Sequence, residues 1–257
     1  AADSKAAEVE RGGEPSAPPG RASEAAATPA PAAIPELEPP AAPRSIYERI
    51  NDGDMALTML PREVAEAFVA KNNTNAESLL AAFRVTHDLE YLRRAARVFT
   101  NDPAVLTRVA LHEVFPEERT KWLERLREAD PGNALPDYLA ASDLLKAGKT
   151  QAALEEVKLA SGKPGLRDYV TQHIQSLEEI YLSAGFGTPE AKAIAMAAVE
   201  LPHVSKIVEL ANAMRDEMKE ARAAGDAEGM ESLLRSGLQA ARHLTEIQEG
   251  GICLERW

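Results

Sequence analysis

Residues 130–160, DPGNALPDYLAASDLLKAGKTQAALEEVKLA, are the stretch that decides the fold. They open on Asp130-Pro131, and the same dipeptide stands 28 residues upstream at Asp102-Pro103. Aspartate can cap free backbone amides, and proline in the first turn of a helix gives up an N–H that would have no partner there. Each pair therefore closes one helical hairpin and opens the next, which predicts a short hairpin between them.

The same stretch resembles a tetratricopeptide repeat. The matching features are the end of a preceding repeat, apolar positions on a first helix, a turn glycine and two small residues at the helix crossing: Asp130-Pro131, Asn133, Tyr138, Ala141, Leu144, Gly148, Ala153 and Ala160. Three positions depart from the family, because Val157 replaces an aromatic, Asp137 takes a tryptophan site and Pro164 comes one residue early. The resemblance covers residues 130–164 and implies an all-α solenoid of stacked hairpins, with an irregular helical bundle as the alternative.

Outward from this hairpin the chain divides into a tail and a helical domain. Residues 1–44 hold nine of the 17 prolines and 14 alanines, which predicts a disordered, extended spacer that is either a tether or a passive extension. Residues 45–257 predict leading helices over 45–71, hairpins over 72–164 and C-terminal helices over 165–249. The last two helices should form a capping antiparallel pair with these apolar positions: Ile207, Leu210, Met214, Met218, Met230, Leu233, Leu234, Leu238 and Leu244.

Composition excludes several classes of function. Hydrophobic residues make up 45% of the chain and aromatic residues only 5%, which is typical of packed helices. The net charge of -12 opposes the DNA or RNA backbone, so we expect no nucleic-acid partner. No run of about 18 apolar residues predicts a spanning helix, so we expect no membrane insertion by this chain. A single cysteine, Cys253, allows no intrachain disulfide and is interpreted as a spare thiol.

Motifs for catalysis or cofactor binding were sought and not found. The glycines at 162–165 and 185–187 lack the Lys-Ser/Thr spacing of a phosphate loop. Adjacent glutamates point about 100 degrees apart on a helix and do not share a site. The histidines are far apart in sequence, and those near helix ends, His87 and His203, are interpreted as caps or solvated residues: His87, His112, His173, His203 and His243. We therefore predict no catalytic residue, no metal and no cofactor.

The resulting prediction is a non-enzymatic scaffold that binds a peptide or a partner helix on a concave helical surface. In similar repeats the ligand contacts lie on the first helix, which here implies these residues: Leu135, Tyr138, Ser142, Leu145 and Lys146. The alternative for Tyr138 and Leu145 is burial against a neighbouring hairpin. An accessory subunit or enzyme with an unrecognised site and a purely structural spacer are the alternative functions.

Location follows only from the N-terminal residues. The start at Ala1-Ala2-Asp3 is what remains after cleavage of a signal at small residues or after trimming of a longer chain. Together with the Pro/Ala spacer, it favours a periplasmic or exported bacterial envelope protein over a cytoplasmic one. Fractionation of a full-length precursor would test this expectation.

Overall fold

The computed structural model of the chain describes residues 44–246, and in this range the regular elements are helices. The predicted tail, apart from Arg44, and Cys253 lie outside the described residues. Two short 3₁₀ turns cover Met55–Thr58 and Pro116–Glu118. The α-helices are α1 Ile46–Asn51, α2 Arg62–Lys71, α3 Ala76–Thr86, α4 Leu89–Val98, α5 Pro103–Leu111, α6 Arg119–Ala129, α7 Leu135–Lys146, α8 Thr150–Ser161, α9 Val170–Ser183, α10 Thr188–Ala197, α11 Pro202–Ala224 and α12 Ala227–Glu246. The all-α prediction is confirmed for this range.

The two Asp-Pro pairs play different roles. Asp102 caps α5, because its carboxylate accepts a hydrogen bond from the Val105 amide at 3.0 Å and Pro103 begins the helix. Asp130 ends α6 instead, and α7 begins only at Leu135. Its carboxylate accepts hydrogen bonds from Tyr169 and pairs with Arg167, so it ties the end of α6 to the segment before α9. The same dipeptide is thus a helix start in one place and a cross-link in the other.

Consecutive helices from α2 to α8 pack against one another, and the closest association is that of α7 with α8. Only Ala147, Gly148 and Lys149 separate α7 from α8, so the two helices run antiparallel. Gly148 has φ of +71°, a left-handed conformation that glycine adopts without strain. Ala153 and Ala160 are buried on the side of α8 that faces α7.

The C-terminal helices fold back onto these hairpins. Helix α9 packs on α3 and α10, and α10 also contacts α1. Helix α11 packs on α7 and α12, and α12 also contacts α8. In an open solenoid each hairpin contacts only its neighbours. Here α3 and α7, each the first helix of a hairpin, are covered by helices from much later in the chain.

The buried apolar residues form two clusters that meet at α5. The first core combines α2 to α6 with α9 and α10, and includes Leu177, Ile180 and Tyr181 of α9. The second core combines α7, α8 and α11 with edge residues of α5 and α6. Val105, Leu106 and Val109 of α5 belong to the first core, whereas its last two residues belong to the second.

The apolar pattern of α12 does not produce a buried seam, which differs from the sequence expectation. Leu234 and Leu238 are 55% and 57% exposed. Met230, Leu233 and Leu244 are only partly buried, and the buried residues of α12 are Ser236 and His243. The reason is that α8, α11 and Tyr138 of α7 cover one side of α12, which leaves the side with Leu234 and Leu238 without a helix against it. In contrast, Ile207, Leu210 and Met214 of α11 are buried as expected.

Candidate partner-binding surface

The structure buries most of the α7 side chains that the repeat resemblance assigns to a partner. Leu135, Tyr138 and Ser142 are at most 1% exposed. Leu145 is partly buried, and Lys146 is exposed at the end of the helix. The five residues do share a helix, but only one of them presents its full side chain to solvent.

Tyr138 is held by a hydrogen-bonded chain that reaches α12. Its hydroxyl lies 3.0 Å from His243 Nδ1, and His243 Nε2 lies 3.0 Å from the Lys163 carbonyl oxygen. A carbonyl oxygen can only accept, so Nε2 carries the imidazole proton, and Nδ1 accepts from the tyrosine hydroxyl. Burial raises the pKa of Tyr138 far above its ordinary value, which keeps that donor protonated. Tyr138 thus anchors the C-terminal helices to α7.

A partner could therefore reach Tyr138 only if α11 and α12 moved away from α7. Tyr138 is buried by α12, whereas the alternative from the sequence was burial of Tyr138 and Leu145 against a neighbouring hairpin. The sequence offered no signal for this arrangement, because Tyr138 and His243 are 105 residues apart. The expected concave surface, lined by the first helix of each hairpin, is covered at both α3 and α7.

A groove of about 390 Å³ lies between α8, α11 and α12. Its apolar lining includes Leu154 and Val157 of α8, Met214 of α11 and Leu233 of α12. Met214 and Val157 are buried, and Leu154 and Leu233 are partly buried. Gly225, with φ of +72°, ends α11 in a tight turn, and the first turns of α12 after it form one wall of the groove.

The charged residues of this groove are mostly acidic. Four carboxylates line it, together with a single amine, Lys158: Glu155, Glu217, Glu220 and Asp226. Gln151 bridges two of its helices by donating a hydrogen bond of 3.2 Å to Glu217. None of the four carboxylates forms an ion pair with another described residue. Asp226 accepts a hydrogen bond from the Gly229 amide and Glu217 one from Gln151, but the negative charge of all four is left without a cation among the described residues.

The dispersed histidines converge in part on a second polar region, where α3, α5, α9 and α11 meet. His203 is 1% exposed, and its Nε2 lies 3.3 Å from Asp168 Oδ2. Its interpretation as a cap or solvated residue is thus wrong, because the start of α11 is buried beside Asp168, which precedes α9. His87 does end α3, in a left-handed conformation, and its Nε2 lies 2.5 Å from Arg84 Nη1.

Burial controls the charge of this region. Burial and the neighbouring Arg108 cation lower the pKa of His112 to about 4. Burial and the same cation also lower the pKa of His173 far below its ordinary value. Both imidazoles are therefore neutral near pH 7. No group of three or more His, Cys, Asp or Glu within residues 44–246 is arranged to hold a metal ion.

In the described part of the chain no helix combines the length and the apolar character that crossing a membrane requires. Comparison of the sequence with family models, with curated proteins and with solved structures found no match. The tetratricopeptide resemblance therefore stays an interpretation of residues 130–164, and function has to be argued from the surface itself.

Proposed function

We propose that this chain is a non-enzymatic protein-interaction module, and that its partner-binding site is the groove between α8, α11 and α12. The partner is a cationic peptide segment or helix with apolar side chains on one face. The observation that carries the proposal is an apolar groove lined by four carboxylates and one amine. This keeps the type of function expected from the sequence but moves the site from α7 to the C-terminal helices.

The size and lining of the groove support a peptide ligand. Its volume of about 390 Å³ is at the low end of the roughly 300–1,000 Å³ of ligand pockets. Such a space holds a few side chains of a partner segment rather than an entire helix. Leu234 and Leu238, which are more than half exposed, lie on the opposite face of α12 from the groove lining and form a separate apolar patch.

Charge selects the class of partner. The four acidic side chains outnumber Lys158, and the chain as a whole carries a net charge of -12. Complementary potentials accelerate encounter and disfavour partners of the same sign. A lysine- or arginine-rich segment is therefore preferred over an acidic one.

We infer that α3 to α8 form a tetratricopeptide-like array of three hairpins, with α11 and α12 as the terminal pair. Support comes from the sequential packing of these helices and from the buried Ala153 and Ala160 between α7 and α8. In this arrangement the partner binds beside the terminal pair.

The test uses a synthetic amphipathic helix of about 18 residues with leucine on one face and lysine elsewhere. Fluorescence anisotropy should show saturable binding to the full chain, with affinity that falls as salt rises. The double charge reversal Glu217→Lys, Glu220→Lys should raise the Kd by about tenfold or more. Glu228→Lys, Glu231→Lys is the matched control, because it changes net charge equally on α12 without altering the groove lining.

Two outcomes would sink the proposal. One is equal loss of affinity in the groove variant and the control, which would mean that only net charge matters. The other is equal binding of a peptide with the same leucine pattern and glutamate in place of lysine. Circular dichroism of both variants confirms that helix content is unchanged before affinities are compared.

A further inference from the structure

Arg108, on α5, is a buried cation without an ion-pair partner within residues 44–246. It is 3% exposed, and its Nη2 has no hydrogen-bond partner. A buried charge is normally paired, because removal from water is expensive for an ion. Burial lowers the pKa of Arg108 to about 10, so it remains a cation at neutral pH.

Arg84 on α3 shows how an equally buried guanidinium is accommodated in the same protein. It is also 3% exposed. Its Nε donates to the Ala198 carbonyl oxygen at 2.6 Å, and its Nη2 lies 3.2 Å from Glu200. The loop before α11 thus supplies Arg84 with a carbonyl acceptor and a counter-ion, and His87 contacts its Nη1.

The acids near Arg108 are committed to other groups. The charges of Asp168 and Glu200 act on Arg108, but neither carboxylate is within ion-pair distance of it. Asp168 accepts from the Val170 amide at 3.1 Å and faces His203, whereas Glu200 pairs with Arg84. Arg108 therefore lacks a direct counter-ion among these side chains.

Arg108 lines a cleft of about 150 Å³ that is formed by α3, α5 and α9. His173 also lines it, is 7% exposed, and carries an Nδ1 without a hydrogen-bond partner. Gln172 and Ser176 add polar groups, and Leu80 and Ala104 add apolar surface. Two buried, polar side chains with unpaired nitrogens thus border the same small space.

We propose that this cleft binds a small monocarboxylate, with Arg108 as its principal ligand and His173 as a second contact. The guanidinium fork matches the two oxygens of a carboxylate. Glu77 and Asp102 also line the cleft and repel any anion, so a ligand with a single negative charge is opposed less than a multiply charged one such as phosphate. The size of the cleft restricts the ligand to a few carbon atoms.

The test is a titration of the full chain with acetate, propionate or lactate at constant ionic strength, with chloride as the balancing anion. The melting temperature should rise saturably with carboxylate, and phosphate should have a much smaller effect. Arg108→Met should abolish the carboxylate dependence while its melting temperature in chloride is equal to or above that of the parent. His173→Phe should weaken the dependence.

Arg119→Met is the control, because Arg119 is a partly buried arginine that is paired with Asp143 and does not line the cleft. It should melt earlier but keep the full response to carboxylate. Equal responses to carboxylate and chloride, or a response that survives in Arg108→Met, would overturn the proposal. If Arg108→Met does not fold, Arg108→Lys should raise the Kd for ¹³C-acetate by about tenfold in a nuclear magnetic resonance titration, and an unchanged Kd would also overturn it.

Discussion

In both cores a helix from a later part of the chain covers an earlier hairpin, but the covering helix is buried to a different extent in each. In each, a later part of the chain covers the first helix of a hairpin and is fixed by a buried tyrosine hydroxyl. In the first core Tyr181 of α9 donates to the Thr58 carbonyl oxygen at 2.6 Å. In the second core Tyr138 of α7 pairs with His243 of α12 at 3.0 Å. Each hydrogen bond joins segments that are more than 100 residues apart.

The covering helices themselves differ. Leu177, Ile180 and Tyr181 of α9 are fully buried. On α12 the buried residues are polar, whereas Leu234 and Leu238 are more than half exposed. An apolar helix face without a partner in the fold is typical of an interaction surface. The comparison therefore assigns stability mainly to the first core and partner binding to the second.

The largest expected effect is on the first core, where Tyr181→Ala removes a fully buried side chain. It should lower the free energy of unfolding by about 3–5 kcal/mol, because it leaves a cavity and frees the Thr58 carbonyl. Urea denaturation followed by circular dichroism measures this. A loss below about 1 kcal/mol would show that α9 is not an essential part of the first core.

Acid should weaken the region where the two cores meet. His112 has a pKa of about 4 in the fold, below the ordinary value of 6.5, so the unfolded chain binds the extra proton between these values. Stability is therefore complete above pH 6.5 and falls as pH drops toward 4. His112 alone gives a slope of about 1.4 kcal/mol per pH unit, and His173 adds to it, because its pKa is lowered in the same direction.

Urea midpoints at several pH values between 4.5 and 7.5 test this dependence. His112→Gln removes one titrating group, so it should flatten the slope by about one proton. An unaltered slope in His112→Gln would contradict the assigned burial.

The helices were predictable from the sequence, and their long-range partners were not. Helix boundaries follow from local signals such as the cap at Asp102 and the turn at Gly148, which act over a few residues. The packing of α9 on α3 and of α11 on α7 depends on contacts between distant segments. The apolar periodicity of a helix does not show which other helix it packs against. For Tyr138 the sequence therefore could not distinguish contact with a partner from contact with a later part of the same chain.

The proposed groove could not be predicted from the sequence, because it too depends on contacts between distant segments. Its residues come from α8, α11 and α12, and Met214 and Leu233 look like ordinary core positions in sequence. The leucines of α12 have the periodicity of a buried seam, so they gave no indication of a groove either.

A smaller effect is expected in the second core, from Tyr138→Phe. This change keeps the ring and removes the hydroxyl, so His243 Nδ1 loses its donor in a buried site. The cost should be about 1–2 kcal/mol, with hydrogen exchange rising mainly in α11 and α12. Exchange that rises first in α9 and α10 would show that the two cores do not separate as described.

The smallest effect is expected from Lys146→Glu, the only one of the predicted α7 contacts that is exposed. The structure gives Lys146 no ion pair within the described residues, although its charge contributes with Lys206 and Arg119 to a lowered pKa of Glu113. The unfolding free energy should change by less than about 0.5 kcal/mol, as is usual for surface substitutions.

Binding of the lysine-rich peptide should also be unchanged, because Lys146 does not line the groove. Anisotropy measured beside the Glu217→Lys, Glu220→Lys variant makes the two sites directly comparable. A strong loss of peptide binding in Lys146→Glu, with the groove variant unaffected, would return the partner site to α7 and require α11 and α12 to open.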